Sequence, residues 1–404
     1  MTEKPASTRR DAARKAKAGR AARPGSSPVV RIWADDLTGA LDTAAQFTGL
    51  LGPLPVLLGG APPNGSAALD NASRDKPWEA AQSGIADIVA FLAPADLPYL
   101  KVDSLLRGHS LKNLAATFAR GGYRHCILAP AFPTQGRMTR AGIQLRRKPS
   151  GDWLPVGPPL VDALGELGMP ARHAPVPEQI EGHGIIVCDA DSDEQLVEIV
   201  RRGRRLMAAD GGRLLWCGSA GLAGALAGRA SPTLRPLVAS LLLVTGSAHA
   251  RSRAQQRAFA KARIAPVIEV AAVPPFDPAS LGLTLARSGM ALLAFRPPEG
   301  CDAIEAMRFI RGQLADCLPS LDRPGGLLVS GGETLRAVCE TLRTDHLVVC
   351  GQVQPGFPVA RLVGGIWDGL PVVSKSGAFG DTRSLIDLAR TLAPDVALMH
   401  GDER

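Results

Sequence analysis

The chain has 404 residues, enough for two domains with separate cores, and 46% of them are hydrophobic. No apolar run reaches the roughly 20 residues that a membrane helix needs, so no membrane partner is expected. The formal charge of +8 does not point to nucleic acid either. Residues 1–24 hold eight Lys/Arg against Glu3 and Asp11, which leaves only +2 on the other 380 residues.

The first element in chain order, residues 1–27, reads as a disordered basic tail, rich in Ala, Arg and Lys and without an apolar stripe. A targeting or polyanion-binding arm is its functional alternative. No secretory apolar region follows it, so a cytoplasmic location is expected. The seven cysteines (126, 188, 217, 301, 317, 339 and 350) show no C-x-x-C spacing and the histidines no H-x-x-x-H. Reduced, mostly buried thiols are expected, and no metal site is identifiable.

From residue 28 onward, short apolar runs alternate with amphipathic ones. "VVRIWA" precedes "ALDTAAQFTGLL", then come "HCILAP", "GIIVCD" before "DEQLVEIVRRGRRLM", and "RLLWCG" before "SAGLAGALAG". A proline-bearing break, "RASPTLRP" at 229–236, follows. After it "SLLLVTG", "GGLLVSGG" and "PVVSKSG" each lead into a helical pattern. Buried strands followed by amphipathic helices predict an α/β fold of two domains, 28–232 and 237–404, with largely parallel sheets flanked by helices.

Polar clusters sit at the predicted strand ends. Asp35 and Asp36 are adjacent carboxylates that repel each other, which fits a positive ligand, a metal or a general base as well as a helix cap. In "YLKVDSLLRGHS" the residues Lys101, Asp103, Ser104 and Arg107 suit a small polyhydroxylated acid, with cations for its carboxylate. A structural salt-bridge network is the competing reading. Arg74 and Arg137 are loop arginines that carry little information alone. In the second half, three glycine loops follow strands: Gly246–Ser247, Ser330 to Thr334, and Lys375 to Gly380. Glycine lets a backbone approach a ligand, and free amides at a helix start attract anions. In a parallel sheet all three loops share the carboxyl edge, where they can surround a polyphosphate with Lys375 as a point charge. Glu333 either supports Mg2+ indirectly or favours the first helical turn. Neither G-x-x-x-x-G-K-[ST] nor G-x-G-x-x-G occurs, which disfavours a nucleotide-cofactor dehydrogenase.

Together these segments resemble the four-carbon acid sugar kinases. "ADDLTGALDTAAQF", "KVDSLLRG", "APAFPTQGRMTRAG", "VTGSAHARSRAQ", "VSGGETLRAV", "PGFPVARLVGG" and "SKSGAFGD" are similar to that family's motifs, in its order. Leu105 stands where the second motif has threonine. The resemblance implies an amino-terminal sugar-acid domain, a carboxy-terminal nucleotide domain and an active site in the cleft between them. It also implies ATP-dependent phosphorylation of a tetronate or 3-oxo-tetronate hydroxyl, with ATP and Mg2+ as cofactors. By position, Arg74, Lys101, Asp103, Ser104, Arg107 and Arg137 would line the sugar-acid site beside Asp35 and Asp36. Ser247, Gly331, Gly332, Glu333, Thr334 and Gly377 would contact ATP. Asp36, or failing it Asp35, is the expected base, and Lys375 the expected charge on the phosphoryl oxygens. The partner is thus a small sugar acid rather than nucleic acid, and a homodimer is the base-rate oligomer. The alternative is a non-catalytic sensor that binds ATP or a sugar acid.

Overall fold

The computed structural model describes residues 27–60, 63–148, 150–247, 249–272 and 276–399. Apart from its last residue, the basic tail expected at 1–27 lies outside them. Fifteen strands form one sheet through both halves of the chain. Five parallel strands open it, in the spatial order Val267–Ala271, Met290–Arg296, Leu241–Thr245, Gly326–Ser330 and Pro371–Lys375. Eight further parallel strands close it: Leu54–Leu57, Ala67–Asp70, Val30–Ala34, Leu97–Lys101, Leu214–Gly218, His125–Ala129, Gly184–Cys188 and Ala171–Ala174.

The largely parallel strands expected from the sequence are present in both halves, but they do not end at a gap between them. Instead the two parallel blocks are stitched by an antiparallel hairpin, His346–Gln354 and Phe357–Val363, which pairs with Pro371–Lys375 on one side and Leu54–Leu57 on the other. The physical reason is visible in "HLVVCGQVQPGFPVARLV": two strand-forming runs flank a Pro-Gly turn, with Gly356 at φ +87°. Register shifts at Val349/Gly351 and Gln352/Gln354 mark bulges, which bend and twist such a hairpin. The break at 229–236 crosses this hairpin, held by Leu234 N–H to Gln352 O (2.8 Å) and Gln352 N–H to Pro232 O (3.0 Å).

The strand Val30–Ala34 is buried at every position, as a central parallel strand must be. The helix that follows it, Leu37–Leu51, is buried along most of its length. It packs against Ala220–Ala227, against the helix Gly332–Thr341 and against the antiparallel hairpin, so it links the two halves. Arg336 of Gly332–Thr341 adds a second tie: its Nη2 lies 2.7 Å from Oδ2 of the buried Asp70. A three-stranded antiparallel sheet, Arg137–Arg140, Ile143–Arg147 and Trp153–Pro155, stands apart. All seven cysteines are unpaired thiols, five of them buried. Among the described residues, no helix is long and apolar enough to cross a membrane.

Candidate active site

Parallel register decides which side chains meet. Thr245 pairs with Ser330, and Ser330 with Lys375, so the three glycine loops leave one edge at one level. Ala34 pairs with Asp70, and Lys101 with Gly218, which brings the aspartate pair, Arg74 and the Lys101–Arg107 segment to the carboxyl edge of the other block. The two edges touch. A Cβ placed on Gly332 would lie 3.0 Å from Thr38 Oγ1 and 3.4 Å from Asp36 Oδ2.

Asp36 caps the helix Leu37–Leu51, accepting from the Gly39 amide at 3.1 Å and the Thr38 hydroxyl at 2.5 Å. Gly39 has no room for a side chain: its Cβ would fall 2.4 Å from Asp36 Oδ1 and 3.2 Å from the Lys101 ammonium. Arg74 is the hub of the cluster. Its Nη2 lies 2.6 Å from Asp35 Oδ1 and 2.7 Å from Asp36 Oδ1, and its Nη1 3.5 Å from Asp103 Oδ2. The Ser73 and Arg74 amides also donate to the Asp35 carbonyl, at 3.0 and 3.2 Å. Burial works against the guanidinium charge, but Asp36, Asp35 and Asp103 together hold its pKa above the ordinary value. Burial and the neighbouring Asp36 raise Asp35, against the pull of Arg74. Asp103 goes the other way: Arg74 and a bidentate Arg107 (Nε 3.0 Å, Nη2 2.7 Å) outweigh its burial and hold it below the usual carboxylate range.

Two cavities meet at this cluster. A small one of about 30 Å3 is walled by Asp36, Gly39, Asp42, Lys101 and Ser104, with Ser374 and Phe379 from the other half. A second, of about 280 Å3, is bounded by Gly246, Ser247, Gly331 to Thr334 and Ser376 to Ala378. Asp36, Thr38, Arg74, Arg107 and Ser376 face both. The second cavity continues past Gly246, Ser247 and Ala303 into a third, of about 730 Å3, beside Phe295, Pro297, Arg253 and Arg257. The site therefore takes a small polar molecule and a longer one end to end, with Asp36 between them.

Most residues singled out in the sequence come together here, and two do not. Lys375 is fully buried. Its ammonium donates to Ser376 O at 2.8 Å and stands 3.4 Å from Ser330 Oγ, under the loops rather than on a cavity wall. Burial, with Arg251 nearby, pushes it down to about 7. Its ammonium, expected to face phosphate, instead lies against the Ser330 and Ser376 loops from beneath. Arg137 lies behind the wall, 5.2 Å over the Phe379 ring, donating to the Gln135 carbonyl. Burial lowers its pKa to about 10. Sequence reasoning missed Thr38, Asp42, Ser219 and Phe379. Asp42 had a signal, as the only charged residue in Leu37–Leu51. For oxygen-loving cations, Asp36, Asp75 and Glu333 all face the second cavity. Burial raises Glu333, although Arg336 and Arg311 oppose it. The cluster His125, His183 and Asp210 lies at the other strand ends, with Arg124 already 2.6 Å from Asp210.

The loop contacts are tight enough to test. A Cβ on Gly377 would fall 2.2 Å from Ser247 Oγ and 2.9 Å from Ser247 Cβ, forcing the two loops apart. Gly377→Ala is expected to raise the KM of the ligand held by the glycine loops about tenfold to a hundredfold while leaving the KM of the small polar ligand within about twofold, read by steady-state kinetics.

Both halves of the chain match known proteins. A family model described as a sugar-binding N-terminal domain matches residues 30–154, and one described as a nucleotide-binding C-terminal domain matches residues 294–385. The D-threonate kinase of Bordetella bronchiseptica is 29% identical over 410 residues, covering 90% of this chain and 98% of its own. That of Cupriavidus necator is 29% identical over 411 residues, covering 88% and 95%. A 3-oxo-tetronate kinase of Brucella melitensis is 29% identical over 248 residues, covering 56% and 54%. A solved structure from Salmonella typhimurium LT2 shares the fold, with TM-score 0.66 and 18% identity over 90% of this chain and 99% of that one. One from Haemophilus influenzae gives 0.63 and 17%, over 92% and 100%. With both halves matched in order and the motifs gathered at one site, the chain belongs to the four-carbon acid sugar kinase family.

Proposed function

We propose that this kinase transfers the γ-phosphoryl group of ATP to a hydroxyl of a four-carbon sugar acid, with D-threonate as the first substrate to try. The observation that carries the reading is the position of Asp36, on the boundary between a small, cation-rich cavity and one built from three glycine loops. The small cavity takes the acid. Lys101 and Arg107 orient its carboxylate, and Ser104 contacts a hydroxyl. The glycine loops take the phosphates through backbone amides. The apolar wall of Ala303, Ala306, Met307 and Ile310 and the third cavity take the nucleoside.

Asp36 accepts the proton of the substrate hydroxyl as its oxygen bonds to the γ-phosphorus. The bond from that phosphorus to the β,γ-bridging oxygen breaks, and ADP leaves. Arg74 fixes the base and stabilises the charge that builds beside it. Mg2+ would be held by Glu333 and Asp75 and would neutralise phosphate charge. Lys375 acts from below, keeping the Ser330 and Ser376 loops in register.

The test is ADP release from Mg·ATP with D- and L-threonate, the erythronates and their 3-oxo forms, beside a control without acid. Turnover with one acid is the expected result. ADP release that ignores the acid would make the protein an ATPase. Silence with every acid while ATP still binds would favour the sensor reading.

A further inference from the structure

Asp42 is the only charged residue in the fifteen-residue helix Leu37–Leu51, and it is 6% exposed. A carboxyl buried in an apolar helix needs partners, because each lone pair left unpaired away from water costs free energy. Here one oxygen, Oδ1, has no hydrogen-bond donor among the described residues. Across the same cavity the buried Ser374 hydroxyl has no partner either. Asp42 lies three residues after Gly39, on the same helix face, and a Cβ on Gly39 would lie 3.2 Å from the Lys101 ammonium. Asp42 and Ser374 both wall the cavity that takes the acid in the kinase reading.

We propose that Asp42 is a substrate-recognition residue, whose carboxyl, with the Ser374 hydroxyl, receives one hydroxyl of the sugar acid at the end remote from the phosphoryl acceptor. The inference rests on the kinase reading above and adds a determinant of which acid is accepted. Burial pushes the Asp42 carboxyl up to about 7, with Lys101 opposing and Asp36 adding to the rise. Near neutral pH it therefore offers both a donor and an acceptor, which suits a hydroxyl better than a second carboxylate. Because Ser374 belongs to the strand Pro371–Lys375, the same contact makes acid binding depend on the two halves being in place.

The experiment compares kcat/KM of wild type, Asp42→Asn and Asp42→Leu on the accepted acid and on its monodeoxy analogues. Asp42→Asn is nearly isosteric and removes a buried ionisable group, so a thermal melt at or above wild type separates folding from function. The expected loss on the full acid is about tenfold for Asp42→Asn and about a hundredfold for Asp42→Leu, with the KM for ATP within about twofold. One deoxy acid, the one lacking the hydroxyl that Asp42 reads, should lose no further activity in either variant. Equal losses on every acid, or none on any, would overturn the assignment and leave Asp42 holding a structural water. Wild type turning over no acid at all would instead remove the kinase reading, and this inference with it.

Discussion

Asp36→Asn is expected to lower kcat by about two to four orders of magnitude, the range spanned by a positioned general base, while the protein stays folded and both ligands still bind. The choice between the adjacent aspartates is geometric. Asp35 is 1% exposed, and both its oxygens are taken by Arg74, at 2.6 and 3.2 Å. Asp36 faces both cavities. Asparagine caps helices about as well as aspartate, so the Gly39 amide keeps its acceptor and the helix start is preserved, while the Thr38 hydroxyl turns to accept from the new amide NH2. What the variant lacks is a basic oxygen between acid and phosphate. Steady-state ADP release with a parallel binding measurement checks this. A turnover near wild type in Asp36→Asn would hand the proton transfer to another group, and a collapse of the melting temperature would reassign Asp36 to structure.

How much of this could be read in the sequence follows from the period of its elements. A parallel strand followed by a helix puts its loop on the carboxyl edge, so the grouping of Gly246, Gly331 and Gly377 was legible without coordinates. Their common level was not, because it depends on the register of Thr245, Ser330 and Lys375. Lys375 was read as a loop charge, yet the strand runs through it, and the loops fold over an ammonium that hydrogen-bonds Ser376 O. Local sequence does not distinguish a lysine in the last strand position from one just beyond it. The joining hairpin was legible but unread, since Pro355-Gly356 between two strand-forming runs is a turn signal. Arg137 shows the opposite limit. Its motif placed it near the site, but whether an arginine faces a cavity or stacks behind Phe379 is decided by packing from the other half of the chain.

Arg74 carries the largest expected effect on stability. Its side chain is 12% exposed and touches three carboxylates, Asp35, Asp36 and Asp103. Removing one partner of a buried ionic network leaves the others uncompensated, so Arg74→Met should cost about 3–5 kcal/mol and abolish measurable turnover. Arg74→Lys should recover little, because a single ammonium cannot span Asp35, Asp36 and Asp103 as the guanidinium fork does. The pH dependence separates charge from packing. In the wild type, Asp103 has a folded pKa below its unfolded value. Its contribution is thus present at neutral pH and is lost as the pH falls below the unfolded value. Without Arg74 the carboxylates crowd one another, and the folded pKa values of Asp35 and Asp103, which Arg74 holds down, rise. Stability is then retained in acid and lost as the pH climbs through the raised values. The gap between wild type and Arg74→Met should therefore be widest near pH 7.5 and narrow toward pH 4.5 in urea melts. A gap of equal size at both would mean that Arg74 stabilises by packing its methylenes. In that case Asp36 would owe its place to the helix cap rather than to the arginine, and Arg74→Met would retain part of the chemistry.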